Sequence, residues 1–208
     1  MLGTQHLELF VLSGILLNLT PGQDTLYIVG RTMSQGRRAG VLSVLGISTG
    51  SVLHTLAAAV GLSAILATSA AAFTVVKLAG AAYLVYLGAR MLLSRASDPL
   101  VVREFGRERP SRIYGAALLT NVLNPKVAVF FLAFLPQFVH PATESRLLTL
   151  LFLGGVFIFN GTIWCFVLVW LAEAISNRLG TRVSARHWVQ RATGAVFVGL
   201  GVRLATSE

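Results

Sequence analysis

A chain of 208 residues that is 55% hydrophobic and only 12% charged carries more apolar surface than a water-soluble fold of this length can bury, since an average soluble domain is about one quarter charged. Its formal charge of +9 comes from 17 Lys and Arg that sit in short gaps between long apolar runs, with no basic stripe interleaved with aromatics, so nucleic acid is excluded as a partner. Cys165 is the single cysteine, which excludes an intrachain disulfide, a CxxC redox pair and a thiolate metal cluster.

A bilayer core about 30 Å thick takes roughly 20 residues per helix. Runs of that length occupy 7–29, 41–66, 70–93, 114–138, 147–172 and 188–204. The expected fold is therefore an all-α membrane protein of six transmembrane helices. Residues 1–8 hold no Lys or Arg, and the first run contains Thr20-Pro21-Gly22-Gln23-Asp24 with no small-residue cleavage pattern. It reads as a span and not as a removed signal peptide.

The first span is interrupted at Asn18-Leu19-Thr20-Pro21-Gly22, and Asp24 follows within it. The second carries His54 near its middle, on the face of Gly46 and Gly50 through steps of four. A histidine there suits a proton relay or close packing along a small-residue face. Lys77 and Arg90 lie near the ends of the third span, where long stems reach the headgroups. The gap 94–113, with Pro99 and Pro110, reads as a solvated tether. The fourth span repeats the interruption at Asn121-Val122-Leu123-Asn124-Pro125-Lys126. The fifth places Asn160, Gly161 and Thr162 midway, as pathway lining or as interhelical hydrogen-bonding groups. Tyr27, Trp170 and Trp188 fall near expected interfaces and read as belt aromatics.

Of the 17 Lys and Arg, only Lys77, Lys126, Arg146 and Arg203 lie away from the odd-numbered gaps and the span ends that face them. The positive-inside rule then puts those gaps in the cytoplasm, and both termini on the periplasmic side. Pro21 and Pro125 are half of the 208-residue chain apart. Each follows a good capping residue, Thr20 or Asn124, and this pairing marks a helix start. Two similar halves of three spans insert in opposite orientations, so the expected organisation is a first repeat at 1–93, a cytoplasmic linker at 94–113 and a second, inverted repeat at 114–208. Secondary transporters are built this way, with broken helices meeting at a midplane site.

The candidate substrate site is thus Asn18, Thr20, Pro21, Gly22, Asp24, Asn121, Asn124, Pro125 and Lys126, with Asp24, His54 and Asn160 as candidates for a proton relay or pathway lining. Charges inside a span are expensive unless they face protein or water. Asp24 and Lys126 together suit a zwitterion; a direct salt bridge between them is the alternative. No nucleotide-binding loop and no metal-ligand spacing is present in the sequence, so neither ATP hydrolysis, a bound metal, a cofactor nor an enzymatic activity is expected.

The segments Asn18-Leu-Thr-Pro21-Gly22, Gln35-Gly36-Arg37-Arg38-Ala39-Gly40, Lys77-Leu-Ala-Gly80-Ala-Ala-Tyr83-Leu-Val-Tyr86-Leu-Gly88 and Asn121-Val-Leu-Asn124-Pro125-Lys126 resemble the LysE/RhtB family of amino-acid exporters over essentially the whole chain. One departure is Pro21-Gly22-Gln23 where that family usually has Pro-Gly-Pro, so Gln23 regains a backbone donor. The resemblance implies efflux of an amino acid such as lysine, arginine, threonine, homoserine or leucine across the bacterial inner membrane, driven by the proton-motive force. Membrane lipids and a small-molecule substrate are the expected partners, and a homodimer is a weaker expectation. A passive channel, a membrane scaffold and a membrane-embedded redox or enzymatic protein are the competing classes.

Overall fold

The computed structural model describes residues 3–68 and 105–178, with isolated positions between 71 and 89 and at 198 and 202. The expected spans 70–93 and 188–204 therefore lie almost wholly outside the described residues, as do Lys77, Arg90 and Trp188 and the linker up to residue 104.

Among the described residues the chain is all helical. Helix α1 (Leu7–Leu19) stops because Thr20 precedes a proline, which disfavours the α region; Thr20 is extended at φ −69, ψ 119. Helix α2 (Gln23–Gln35) begins after Gly22. Gly36 alone separates it from α3 (Arg37–Thr68) and stands at φ 81, ψ 179, a region open almost only to glycine. The corner is tight for that reason.

Helix α4 (Pro110–Val122) has proline in its first turn. Asn124, extended before Pro125 at φ −78, ψ 106, separates it from the short helix α5 (Pro125–Val129). Helix α5 runs on into a π turn (Phe130–Phe134) and a 3-10 turn (Leu135–Phe138). Pro136 lies in the latter, and a proline both removes a donor and crowds the carbonyl four residues earlier, which loosens the regular ladder here. The last helix described in full is α6 (Arg146–Arg178).

By length and composition, Arg37–Leu62 and Arg146–Ala174 suffice to cross a membrane, and Pro110–Val122 with Pro125–Phe138 forms a third such run bent by 47°. Helix α1 is apolar but shorter. The described residues thus contain two or three candidate spans of the six expected.

Helix α3 is the centre of the packing, lying along α4 on one side and α6 on the other. Small residues permit the approach. A Cβ at Gly46 would strike the Tyr114 carbonyl oxygen, and one at Gly50 would come within 2.6 Å of the Asn121 amide oxygen. The Gly46–Gly50 face is therefore used within this chain, against α4. One apolar cluster gathers the rings of Phe10, Phe130, Phe131, Phe134, Phe138 and Phe157 between α1, α5 and α6, with Phe130 and Phe157 centroids 4.7 Å apart. A second joins Tyr27 and Ile28 of α2 to Val44, Ile47, Ala117 and Val169.

Two expectations are corrected. Tyr27 is not a belt aromatic: it is buried, and its hydroxyl donates to the Ile113 carbonyl at 3.0 Å. The end of the linker is only partly a solvated tether: Gly106, Arg107 and Arg109 are exposed, whereas Phe105 and Glu108 lie against α2. Gln35 donates from Nε2 to Gly106 O at 2.6 Å and accepts at Oε1 from Glu108 N at 3.2 Å.

Candidate functional site

The two helix breaks meet. Lys126, in the first turn of α5, reaches the end of α1 and donates from Nζ to Leu17 O at 3.1 Å and to Thr20 O at 3.0 Å. Thr20 O has lost its helical partner at the end of α1 and Leu17 O has only the Thr20 N–H at 3.2 Å, so an ammonium satisfies both their remaining hydrogen-bonding need and the negative end of the helix dipole. In the other direction Asp24, in the first turn of α2, accepts at Oδ2 from Asn121 Nδ2 near the end of α4 at 2.8 Å. Each downstream helix thus holds the end of the other break's upstream helix.

The capping residues behave differently at the two breaks. Asn124 caps α5, its Oδ1 accepting from Lys126 N at 3.0 Å, as its position before Pro125 leads one to expect. Thr20 does not cap α2: its hydroxyl turns back to Leu16 O at 2.8 Å, and Gly22 occupies the cap position without a side-chain bond. A Cβ at Gly22 would sit 3.2 Å from Lys126 Nζ, a tight contact that would shift the ammonium by a few tenths of an ångström.

Asp24 and Lys126 line one cavity of about 40 Å³ with Asn18, Asn121, Ser51 and Trp164. That is room for a few waters and far less than a closed site needs for an amino acid. The two charges share the cavity without an ion pair: Arg31–Glu108 and Arg37–Glu173 pair within 4.0 Å, whereas Asp24 and Lys126 do not. Asp24 Oδ1, Asn18 Nδ2 and Trp164 Nε1 are buried with no protein partner. The free oxygen of the Asp24 carboxylate, these two donors and the Lys126 ammonium can hold a small polar molecule by both of its ends.

Of the remaining expected residues, Pro21 is half-buried at the first break and Pro125 exposed at the second. His54 lies beside the cavity lining, its Nε2 3.1 Å from Asn121 O and its ring stacked on Phe131 at 5.8 Å. Asn160 is half-buried and does not line the cavity. Its neighbours do: Gly161 faces the Asn18 amide, which a Cβ would approach to 3.3 Å, and the Thr162 hydroxyl is 2.9 Å from Ser48 Oγ.

Trp164 and Cys165 were missed as lining residues. They follow Gly161 by three and four positions, so they share its helix face; only the placement of Gly161 could have found them. Arg31 was read as a topology charge, yet it is 2% exposed and paired with Glu108 at 3.0 Å.

A membrane-embedded helical chain with unpaired opposite charges at two facing helix breaks belongs to the class of small-molecule translocators. Residues 15–208 match the LysE type translocator family, and the chain belongs to that family. It is 32% identical to an uncharacterized membrane protein of Vibrio cholerae, with 96% of each chain covered. It is 29% identical to the homoserine/homoserine lactone efflux protein of Salmonella typhimurium, over 96% of this chain and 95% of the relative. Identity to the leucine efflux protein of Salmonella choleraesuis is 26%, over 96% of this chain and 94% of that protein. No solved structure matches the chain.

Proposed function

We propose that this family member is a secondary exporter of amino acids, working by alternating access across the inner membrane and driven by the proton-motive force. Six spans form two inverted three-helix repeats, and the bent runs 7–35 and 110–138 are the corresponding broken spans. The observation that carries the reading is the placement of Asp24 and Lys126 on one cavity without a direct pair. A zwitterion brings an ammonium for Asp24 and a carboxylate for Lys126, whose third N–H is not used by Leu17 O and Thr20 O. The small volume supports a closed stage of the cycle, between entry from one side and release to the other.

The efflux names of the relatives support export as the direction, and homoserine and leucine, which those names mention, are the first substrates to try. The test loads proteoliposomes with a panel of radiolabelled amino acids, with and without a proton gradient. Gradient-dependent efflux of one class, lost in Asp24→Asn and in Lys126→Ala, is the expected result. Equal flux in both variants and wild type would leave the cavity without a role and favour a passive pore.

A further inference from the structure

Arg31 is among the largest fully buried side chains of the described residues, and it is held in an unusual way. Its Nη2 pairs with Glu108 Oε1 at 3.0 Å, its Nε donates to the Tyr27 hydroxyl at 3.2 Å, and the guanidinium lies 4.0 Å from the centroid of the Phe105 ring. Nη1 has no protein partner. Glu108 and Phe105 do not belong to the helix that carries Arg31. They come from the strap 105–109, which is anchored by Gln35 to Gly106 O and Glu108 N, by a 3.4 Å contact from Phe105 N to Ser34 Oγ, by the Phe105 ring at 5.3 Å from that of Tyr27, and at its end by Arg109 O, which accepts from Arg112 N and Ile113 N. Beside the strap a groove of about 930 Å³ runs between α2 and α4, from Arg31 and Glu108 to Gln23 next to the first break.

Asp24 lines the central cavity and Arg31 the groove, and the two spaces share no lining residue; Gln23, the neighbour of Asp24, lines the groove. Asp24, Tyr27 and Arg31 stand at steps of three and four, and the seven residues from Asp24 to Arg31 span about 10 Å at 1.5 Å per residue. An amino acid is too short to touch both, so the two charges are separate positions, and the groove from Arg31 reaches along α2 as far as Gln23. A buried arginine whose carboxylate is removed costs several kcal/mol unless another anion takes its place, and its planar fork is suited to a carboxylate.

We infer that Arg31 is an entry station for the carboxylate of the transported substrate, at the end of α2 remote from the helix break, and that Glu108 is an internal carboxylate occupying it while the strap is closed. The inference rests on the export reading for the source of the incoming carboxylate. A short tether gives Glu108 an effective concentration of about millimolar, so a free amino acid at millimolar concentration competes on comparable terms. When substrate takes the guanidinium, Glu108 and Phe105 leave, and the groove beside the strap lies open toward the first break. A substrate without a carboxylate gains nothing at this station.

The test uses the full chain in lipid nanodiscs and follows hydrogen exchange of the amides of residues 105–109, with radiolabelled flux measured separately in proteoliposomes. The probes are L-homoserine against homoserine lactone and L-leucine against leucinol, each pair differing in the carboxylate. At least one of the two acids is expected to raise strap exchange several-fold while its carboxylate-free partner does not. Glu108→Gln is expected to raise exchange without ligand and to abolish the further response. Unchanged exchange with both acids, or an equal response to an acid and its carboxylate-free partner, would overturn the station. Flux with an unresponsive strap removes the station and leaves the exporter. A responsive strap without flux of any amino acid leaves a carboxylate site and removes the exporter.

Discussion

The Lys126 ammonium donates to the Thr20 carbonyl at 3.0 Å across 106 positions of sequence, so a side chain from the second break completes the helix end at the first. Asp24 repeats the relation in reverse through Asn121 at 2.8 Å. The charged residues therefore have two tasks: they splice two interrupted helices together, and they present a carboxylate and an ammonium to one cavity. Under the proposed export reading, a substrate that draws either charge toward itself would also loosen a splice, which would link occupancy to the relative position of the helices.

Lys126→Met is expected to leave Thr20 O without a donor and Leu17 O with only the Thr20 N–H, and to destabilise the protein by about 1–3 kcal/mol, the range for leaving a buried polar group unpaired. A lower melting temperature in detergent, with flux lost, is the expected outcome. Lys126→Arg restores the melting temperature more fully than it restores flux if the ammonium also contacts substrate.

Asn121→Leu leaves the Asp24 carboxylate without its 2.8 Å donor at an expected cost of about 1–3 kcal/mol. Thermal unfolding and single-turnover efflux report the loss together. Asn121→Gln, which keeps the amide, is expected to recover part of both.

Gly46→Ala drives a methyl group into the Tyr114 carbonyl, whereas a Cβ at Gly61 meets nothing within 4 Å. Overpacking against backbone costs about 1–3 kcal/mol, while alanine for glycine in an open helix position gains up to about 1 kcal/mol. The two variants should shift the unfolding midpoint in opposite directions, and shifts of the same sign would contradict the α3–α4 contact.

Cys165 lines the cavity and is half-buried. As the chain's single cysteine it reports occupancy without mutation. The closed cavity of about 40 Å³ has no room for a maleimide, so alkylation reads how often the site opens, and a transported amino acid is expected to change its rate whereas one that is not transported leaves it unaffected. Quenching at fixed times with mass measurement of the intact chain gives the rates.

Both prolines were legible as the places where helix ends, because an X-Pro pair biases its first residue toward extended backbone wherever it occurs, and Thr20 and Asn124 are extended. The capping of α5 by Asn124 was legible for the same local reason. That Thr20 would instead bond Leu16 O was not, since a threonine hydroxyl can satisfy either the helix behind it or the one ahead. The convergence of Asp24 and Lys126 on one cavity followed from pairing the two breaks. Trp164 and Cys165 could not be picked out, because α6 is apolar around its whole circumference and packing alone decides which face turns inward. Arg31 was counted with the gap arginines for want of any local mark to distinguish a solvated guanidinium from one that a distant glutamate covers.

The single-residue corner at Gly36 has a mechanical meaning. With one residue between α2 and α3, and with Gly36 bonded to Thr32 O, Ala39 N and Gly40 N, there is no slack to absorb relative motion, so any rotation of α2 about Gly36 would move it as a stiff arm. Thirteen residues make that arm about 20 Å long at 1.5 Å per residue, and a swing of about 10° at Gly36 carries Gln23 through about 3 Å. That displacement parts the Asp24–Asn121 bond while bending no helix, and α3, fixed against α4 and α6, supplies the fulcrum.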